Sequence, residues 1–136
     1  MIKIDHIGIA VKNLAVAREV YSTLLDKEPY KKEIVESDKV TTLFYDVGDS
    51  KIELLESTIE GSPIRKFIEK RGEGIHHIAF EVADIHQSIQ QFKAKGFTFI
   101  SDIPRMGADQ KLIVFMNPKE SHGVLIELCQ SISSPT

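Results

Sequence analysis

The chain has 136 residues, 42% of them hydrophobic and 27% charged, a balance that fits one globular domain with a real core. A net charge of −3 gives no reason to expect nucleic acid or a membrane as partner. No apolar run approaches the ~20 residues that span a bilayer, no signal-peptide pattern opens the chain, and the single cysteine, Cys129, allows no intrachain disulfide, so a cytoplasmic protein is expected.

The first predicted strand runs over 2–11 and contains "DHIGIAV". Alternation puts His6, Gly8 and Ala10 on one face and Ile7, Ile9 and Val11 on the other. Asn13 can cap a helix over 14–25, its side-chain oxygen accepting from free first-turn amides, with Leu14, Ala17, Tyr21 and Leu24 as the apolar stripe. Strands over 29–36, 40–47 and 51–56 follow, with "VGDS" as the turn signal between the last two. In "STIEGSPIRKFIEKRGEG" Ser62 caps, Pro63 suits the first helical position, and Gly72 and Gly74 end a short helix, so 57–74 reads as a linker helix. A strand over 75–82 comes next, then a helix over 85–95 that Asp84 caps, with Ile85, Ile89 and Phe92 apolar and Gly96 as its stop. Strands over 97–102, 111–117 and 123–130 complete the chain, with "NPKES" as the turn signal between the last two.

The second half repeats the first. "DHIGIAV" (Asp5 to Val11) lies over "HHIAFEV" (His76 to Val82) at an offset of 71, which pairs His6 with His77, Asn13 with Asp84, Leu14 with Ile85 and Tyr21 with Phe92. "IELLE" (Ile52 to Glu56) lies over "IELCQ" (Ile126 to Gln130) at an offset of 74, so a loop of the second half holds three extra residues. The expected fold is therefore α+β: two βαβββ modules, 2–56 and 75–130, joined by the linker helix in one domain of residues 1–136.

The repeat also sorts the histidines. His6 and His77 fall on the face with small neighbours, where a ligand has room, while the apolar face, which includes His76, packs on the helices. Glu53 and Glu127 are carboxylates between apolar neighbours, plausible when they face a cleft or a cation. If the strands align as a duplicated sheet suggests, His6, Glu53, His77 and Glu127 converge, and two imidazoles with one or two carboxylates suit Mn, Fe, Co, Ni or Zn. His86 and His122 have no repeat partner and are expected at the surface, and Cys129 in the core.

At these residues the sequence resembles the vicinal oxygen chelate superfamily and, more narrowly, the methylmalonyl-CoA epimerase family. The matching stretches are "IDHIGIAVKNL", "VGDSKIELLE", "SPIRKFIEKRGEGIHHIAFEV", "PRMGADQKLIVFMNPK" and "GVLIELC", in order from residue 4 to residue 129. The resemblance implies a cupped, partly open mixed sheet of eight strands around a metal held by His6, His77 and Glu127, with Glu53 where some members have Gln. Co2+ is the expected ion, with Mn2+, Ni2+ or Zn2+ as the other candidates. A second catalytic carboxylate is implied in "KKEIVESDK", at Glu33 or else Glu36. Asp26 stands where a glycine is common after the first helix.

The implied reaction interconverts (2R)- and (2S)-methylmalonyl-CoA by removing the C2 proton and redelivering it through a metal-stabilised enolate, with Glu127 and Glu33 as the acid/base pair on opposite sides. Lys66, Lys70 and Arg71 on the linker helix are candidates for the CoA phosphates, against the alternative of a solvated charged face. The family implies a homodimer. The rival readings are a glyoxalase-type isomerase or a non-haem iron dioxygenase of the same architecture, and a metal-free small-molecule-binding protein. The linker motif argues against the first two, and ligand positions present in both modules argue against the third.

Overall fold

The computed structural model describes residues 2–132. These contain eight strands and three α-helices: β1 (Lys3–Ala10), α1 (Leu14–Leu25), β2 (Lys31–Val35), β3 (Val40–Val47), β4 (Ser50–Glu56), α2 (Pro63–Arg71), β5 (Gly74–Glu81), α3 (Ile85–Ala94), β6 (Arg105–Met106), β7 (Lys111–Phe115) and β8 (Ile126–Ser131). The described residues divide into two compact units, one over 6–76 and the other from His77 on together with the residues up to Asp5. No helix among them is long and apolar enough to cross a membrane.

In the first unit the strand order is β2-β3-β4-β1, with β1 parallel to β4 and the other pairs antiparallel. In the second it is β5-β8-β7-β6, with β5 parallel to β8 and the rest antiparallel. The registers match residue for residue. Gly8 pairs with Glu53 as Ala79 pairs with Glu127, and Phe44 pairs with Glu53 as Phe115 pairs with Glu127. The chain from Phe115 to Glu127 is three residues longer than that from Phe44 to Glu53, so the extra residues lie in the β7–β8 connection. A 3-10 turn over Pro118–Ser121 takes them up.

Helix packing repeats as well. Val11, Leu14, Leu43, Tyr45 and Leu54 form the buried cluster under α1, and Val82, Ile85, Val114, Met116 and Leu128 do the same under α3, joined there by Ile89. Asn13 and Asp84 cap the two helices through side-chain oxygens that accept from Val16 and Gln87. A second, long-range cap accompanies each: the Leu14 amide donates to Glu56 at 2.7 Å and the Ile85 amide donates to Gln130 at 2.8 Å. Each last sheet strand thus holds the start of its module's helix.

Two expectations are corrected. Leu24 is 70% exposed, and Leu25 takes its place with Ala17 and Tyr21 against the core, because the helix steps 3, 4 and 4 residues from Leu14. The exposed positions Val16, Val20 and Leu24 of α1 correspond to Gln87, Gln91 and Lys95. The strand expected over 97–102 is not continuous. Phe99 makes an isolated bridge to Met116, flanked by bonds from Asn117 N to Thr98 O and from Ile100 N to Phe115 O, and β6 pairs again only at Arg105–Met106. Pro104 between the two stretches has no amide hydrogen to give a ladder.

Candidate metal centre

Cross-strand partners share a face, so the register defines one face per unit. In the first it carries His6, Gly8 and Ala10 on β1, Lys51, Glu53 and Leu55 on β4, Val40, Thr42 and Phe44 on β3, and Lys31 and Glu33 on β2. His6 and Glu53 are both buried there, with Nδ1 of His6 3.1 Å from Oε2 of Glu53. In the second unit His77 and Glu127 are buried on the corresponding face, with Nε2 of His77 3.5 Å from Oε1 of Glu127. Each unit therefore brings together the histidine and the glutamate that the repeat singled out.

Burying an imidazole and a carboxylate together is costly unless something compensates both. A direct ion pair is one solution and a shared divalent ion is another. Two donor atoms each about 2.1 Å from one ion lie roughly 3.0 Å apart at a right angle and roughly 3.4 Å apart at the tetrahedral angle. The observed separations of 3.1 Å and 3.5 Å fall at these values, and nitrogen with carboxylate oxygen suits a first-row divalent ion. The residues fit the metal that the fold family implies.

Two phenylalanines that the sequence reading did not single out wall these pairs. Phe44, fully buried, lies across from Glu53. Phe115 lies across from Glu127 and meets the His77 ring edge-on, with centroids 5.9 Å apart. Their separation in sequence is the same 71 residues that relates the histidines, the signal that would have found them.

His76 lies on the opposite face of β5 and meets Phe67 of α2 edge-on at 5.0 Å between ring centroids. Burial pushes its pKa down to about 4, so it is neutral at ordinary pH. His86 and His122 are exposed, His122 as the left-handed cap of the 3-10 turn before β8. Cys129 is fully buried, and burial pushes its thiol up, which leaves it a small core residue.

Of the two candidate second carboxylates, Glu33 sits on β2 across from Thr42, on the face of Glu53, and is ion-paired with Lys31 at 3.1 Å. The Lys31 ammonium also lies 5.5 Å from the centroid of the Phe44 ring. Glu36 sits in the exposed 3-10 turn after β2. Lys66, Lys70 and Arg71 are exposed on α2, with the Arg71 guanidinium 5.9 Å from the Phe67 ring. Asp26 adopts the left-handed conformation at the end of α1 (φ 54°), which explains why glycine is at home in that position.

The second unit also holds a buried ion pair invisible to the sequence reading. The Lys111 ammonium donates to Asp5 across 106 residues of chain. Burial pushes the Lys111 pKa down, but the hydrogen bond and charge of Asp5 outweigh it and hold it above the ordinary lysine value. Glu81 is nearby, accepting from Ser131 at 2.9 Å and paired with Lys3 at 3.3 Å.

Duplicated βαβββ modules, each with a buried His–Glu pair, define the class, and the sequence matches the Glyoxalase/Bleomycin resistance protein/Dioxygenase superfamily over residues 5–115. The chain belongs to that superfamily and has its fold. It is 40% identical to an uncharacterized protein, YqjC, of Bacillus subtilis (96% of this chain, 93% of that one). It is 38% identical to the ethylmalonyl-CoA/methylmalonyl-CoA epimerase of Cereibacter sphaeroides (94% and 97%). Among solved structures, a variant of the Streptomyces coelicolor methylmalonyl-CoA epimerase in complex with 2-nitronate-propionyl-CoA superposes with a TM-score of 0.88 at 38% identity, over 98% of each chain.

Proposed function

We propose that this protein is a metal-dependent methylmalonyl-CoA epimerase, in which His6, Glu53, His77 and Glu127 hold one divalent ion, with Co2+ the expected metal. The observation that carries the reading is the pair of buried His–Glu contacts at equivalent register positions, 3.1 Å and 3.5 Å apart. Its likeness to two epimerases over nearly the full chain supports the substrate. The compound bound by the Streptomyces enzyme points the same way: a 2-nitronate is planar at C2 with its negative charge on adjoining oxygens, the shape and charge distribution that methylmalonyl-CoA acquires on losing its C2 proton.

When bound, the metal supplies Lewis-acid polarisation of the thioester and carboxylate oxygens that flank C2. The remaining chemistry belongs to side chains. Glu127 takes the C2 proton from one face, the electron pair stays with the substrate, spread from C2 onto the thioester oxygen, and Glu33 returns a proton to the other face. In the opposite direction the two carboxylates exchange roles. Phe44 and Phe115 stand beside Glu53 and Glu127, while Glu33, partly exposed at the edge strand, exchanges its proton with solvent before returning it. Lys66, Lys70 and Arg71 take up CoA phosphates from the exposed side of α2. The reading includes a homodimer and a cytoplasmic setting, in keeping with the one cysteine being buried and protonated.

Deuterium incorporation at C2 of methylmalonyl-CoA, followed in deuterated water with and without added cobalt, tests this. Metal-dependent incorporation accompanied by racemisation is the expected result. A folded, metal-loaded protein that exchanges no C2 proton would send the search to the isomerase and dioxygenase chemistries of the same superfamily.

A further inference from the structure

Matched registers show where the two modules were kept alike and where they were allowed to differ. On the site face of the first unit, Glu33 stands at the edge strand across from Thr42, which is itself across from Leu55. On the site face of the second, Arg105 stands at the edge strand across from Ile113, which is itself across from Cys129. Thr42 and Ile113 are 71 residues apart, and Leu55 and Cys129 are 74 apart, the offsets of the repeat. Arg105 thus occupies, relative to His77–Glu127, the place that Glu33 occupies relative to His6–Glu53.

Arg105 is exposed at the sheet edge, and the backbone that follows it is held in a defined shape. Gly107, two residues on, presses against Ile113 so closely that a Cβ there would come within 2.7 Å of the isoleucine Cδ1. Asp109 and Gln110 then both adopt left-handed backbone (φ 59° and 56°). The other described non-glycine residues with positive φ, Asp26, Lys39 and His122, are all cap residues that end helical turns. Two consecutive left-handed residues cost the fold something and cluster where a segment must be held in one shape. Within this segment Gly107 packs on Ile113, and the chain then leads into the buried Lys111.

The first unit's corresponding end is closed over by the linker helix, with Ile64, Phe67 and Ile68 packed on Ala10, Val40 and Leu55. In the second unit the equivalents of Ala10 and Val40 are Glu81 and Lys111, a charged cluster with Asp5, Lys3 and Ser131. That end is built for polar company.

We infer that Arg105 is a specificity residue: its guanidinium recognises the free carboxylate of a 2-carboxyacyl thioester from the site face of the second unit. The inference rests on the proposed function and names what makes a malonyl-type substrate preferred over a plain acyl thioester. A guanidinium pairs with a carboxylate through two parallel N–H donors, a geometry that lysine cannot reproduce.

Malonyl-CoA and acetyl-CoA differ by that carboxylate alone, and neither has a stereocentre to epimerise. Their equilibrium binding to the cobalt-loaded protein, by calorimetry, compares wild type with Arg105→Met and Arg105→Lys. Arg105→Met is expected to weaken malonyl-CoA binding about tenfold and leave acetyl-CoA within about twofold, with Arg105→Lys between the two and bound metal unchanged in all three. Equal weakening of both thioesters would move Arg105 to the CoA moiety and overturn the assignment, as would no change in either. If wild type binds both thioesters but exchanges no C2 proton, the epimerase reading fails while the carboxylate preference stands or falls on its own numbers. If wild type binds neither thioester, both go.

Discussion

Glu53 lies directly across the parallel β1–β4 pair from Gly8, and His6, two residues back on the same face, meets its carboxylate at 3.1 Å. Its counterpart in the other module is set by Ala79 across from Glu127, with His77 two residues back. The smallest residues in the chain stand beside the carboxylates on the β1 and β5 side, and Phe44 and Phe115 stand on the other, so the space next to each carboxylate is left open on one side only.

That placement gives the first prediction. His77→Ala should lower affinity for cobalt by at least about 100-fold and abolish C2 exchange, whereas His76→Ala should leave both near wild type. Metal content after dialysis and deuterium incorporation read the two effects. Equal loss in both variants, with circular dichroism unchanged, would break the argument from strand faces.

Glu56 and Gln130 perform the same task with different chemistry, each accepting from the first amide of its module's helix. Glu56→Gln should therefore cost well under 1 kcal/mol, because the neutral amide already serves in the second module. Glu56→Ala should cost about 1–2 kcal/mol, as the Leu14 amide loses an ionised acceptor. Urea denaturation of the two variants separates these outcomes.

The Asp5–Lys111 pair is buried on both sides, so its partners depend on each other more than the fold depends on the pair. Lys111→Met should destabilise by about 3 kcal/mol because it takes the counter-charge from the buried Asp5 carboxylate. The double variant Asp5→Val with Lys111→Met should recover most of that loss. A double variant no more stable than Lys111→Met would mean that the cost lies in lost packing by the lysine stem.

His76 predicts a pH dependence whose sign is fixed. Its pKa is about 4 in the folded chain against an ordinary 6.5, so the unfolded chain binds the proton more readily. Stability is fully present above pH 6.5 and falls as the pH drops towards 4, by about 3 kcal/mol in total from this residue. Measured with chelator present, wild type should lose stability across that window faster than His76→Phe, which keeps a ring against Phe67. Parallel pH profiles for the two proteins would show that His76 is not the group responsible.

Periodicity and repetition made most of the architecture legible. The boundaries of α1 and α2, both helix caps and the paired β–α–β–β–β order all follow from alternation, cap residues and the two offsets. The strand after α3 did not, because Pro104 and an unpaired stretch split a single apolar run into a bridge at Phe99 and a two-residue strand at Arg105. Within the site, the histidines and glutamates were visible because duplication brought the same residues forward twice. Asp5 with Lys111 had no such signal: one module has this pair, and its members are joined only through tertiary structure. Leu24 misled because helical spacing admits either it or Leu25 into the stripe, and packing alone chooses.

The residue-for-residue match of the two registers means that the chain records its own ancestry as a controlled comparison. A single module, once copied, had every position free to drift apart in the two descendants. Those that stayed alike, such as His6 with His77, Glu53 with Glu127 and Phe44 with Phe115, mark what both halves still require. Those that parted, Glu33 from Arg105 and Val40 from Lys111, mark the moment when two identical copies began to divide labour. A symmetric ancestor would have carried the same group at both edge strands, where this chain now carries a carboxylate in one half and a guanidinium in the other.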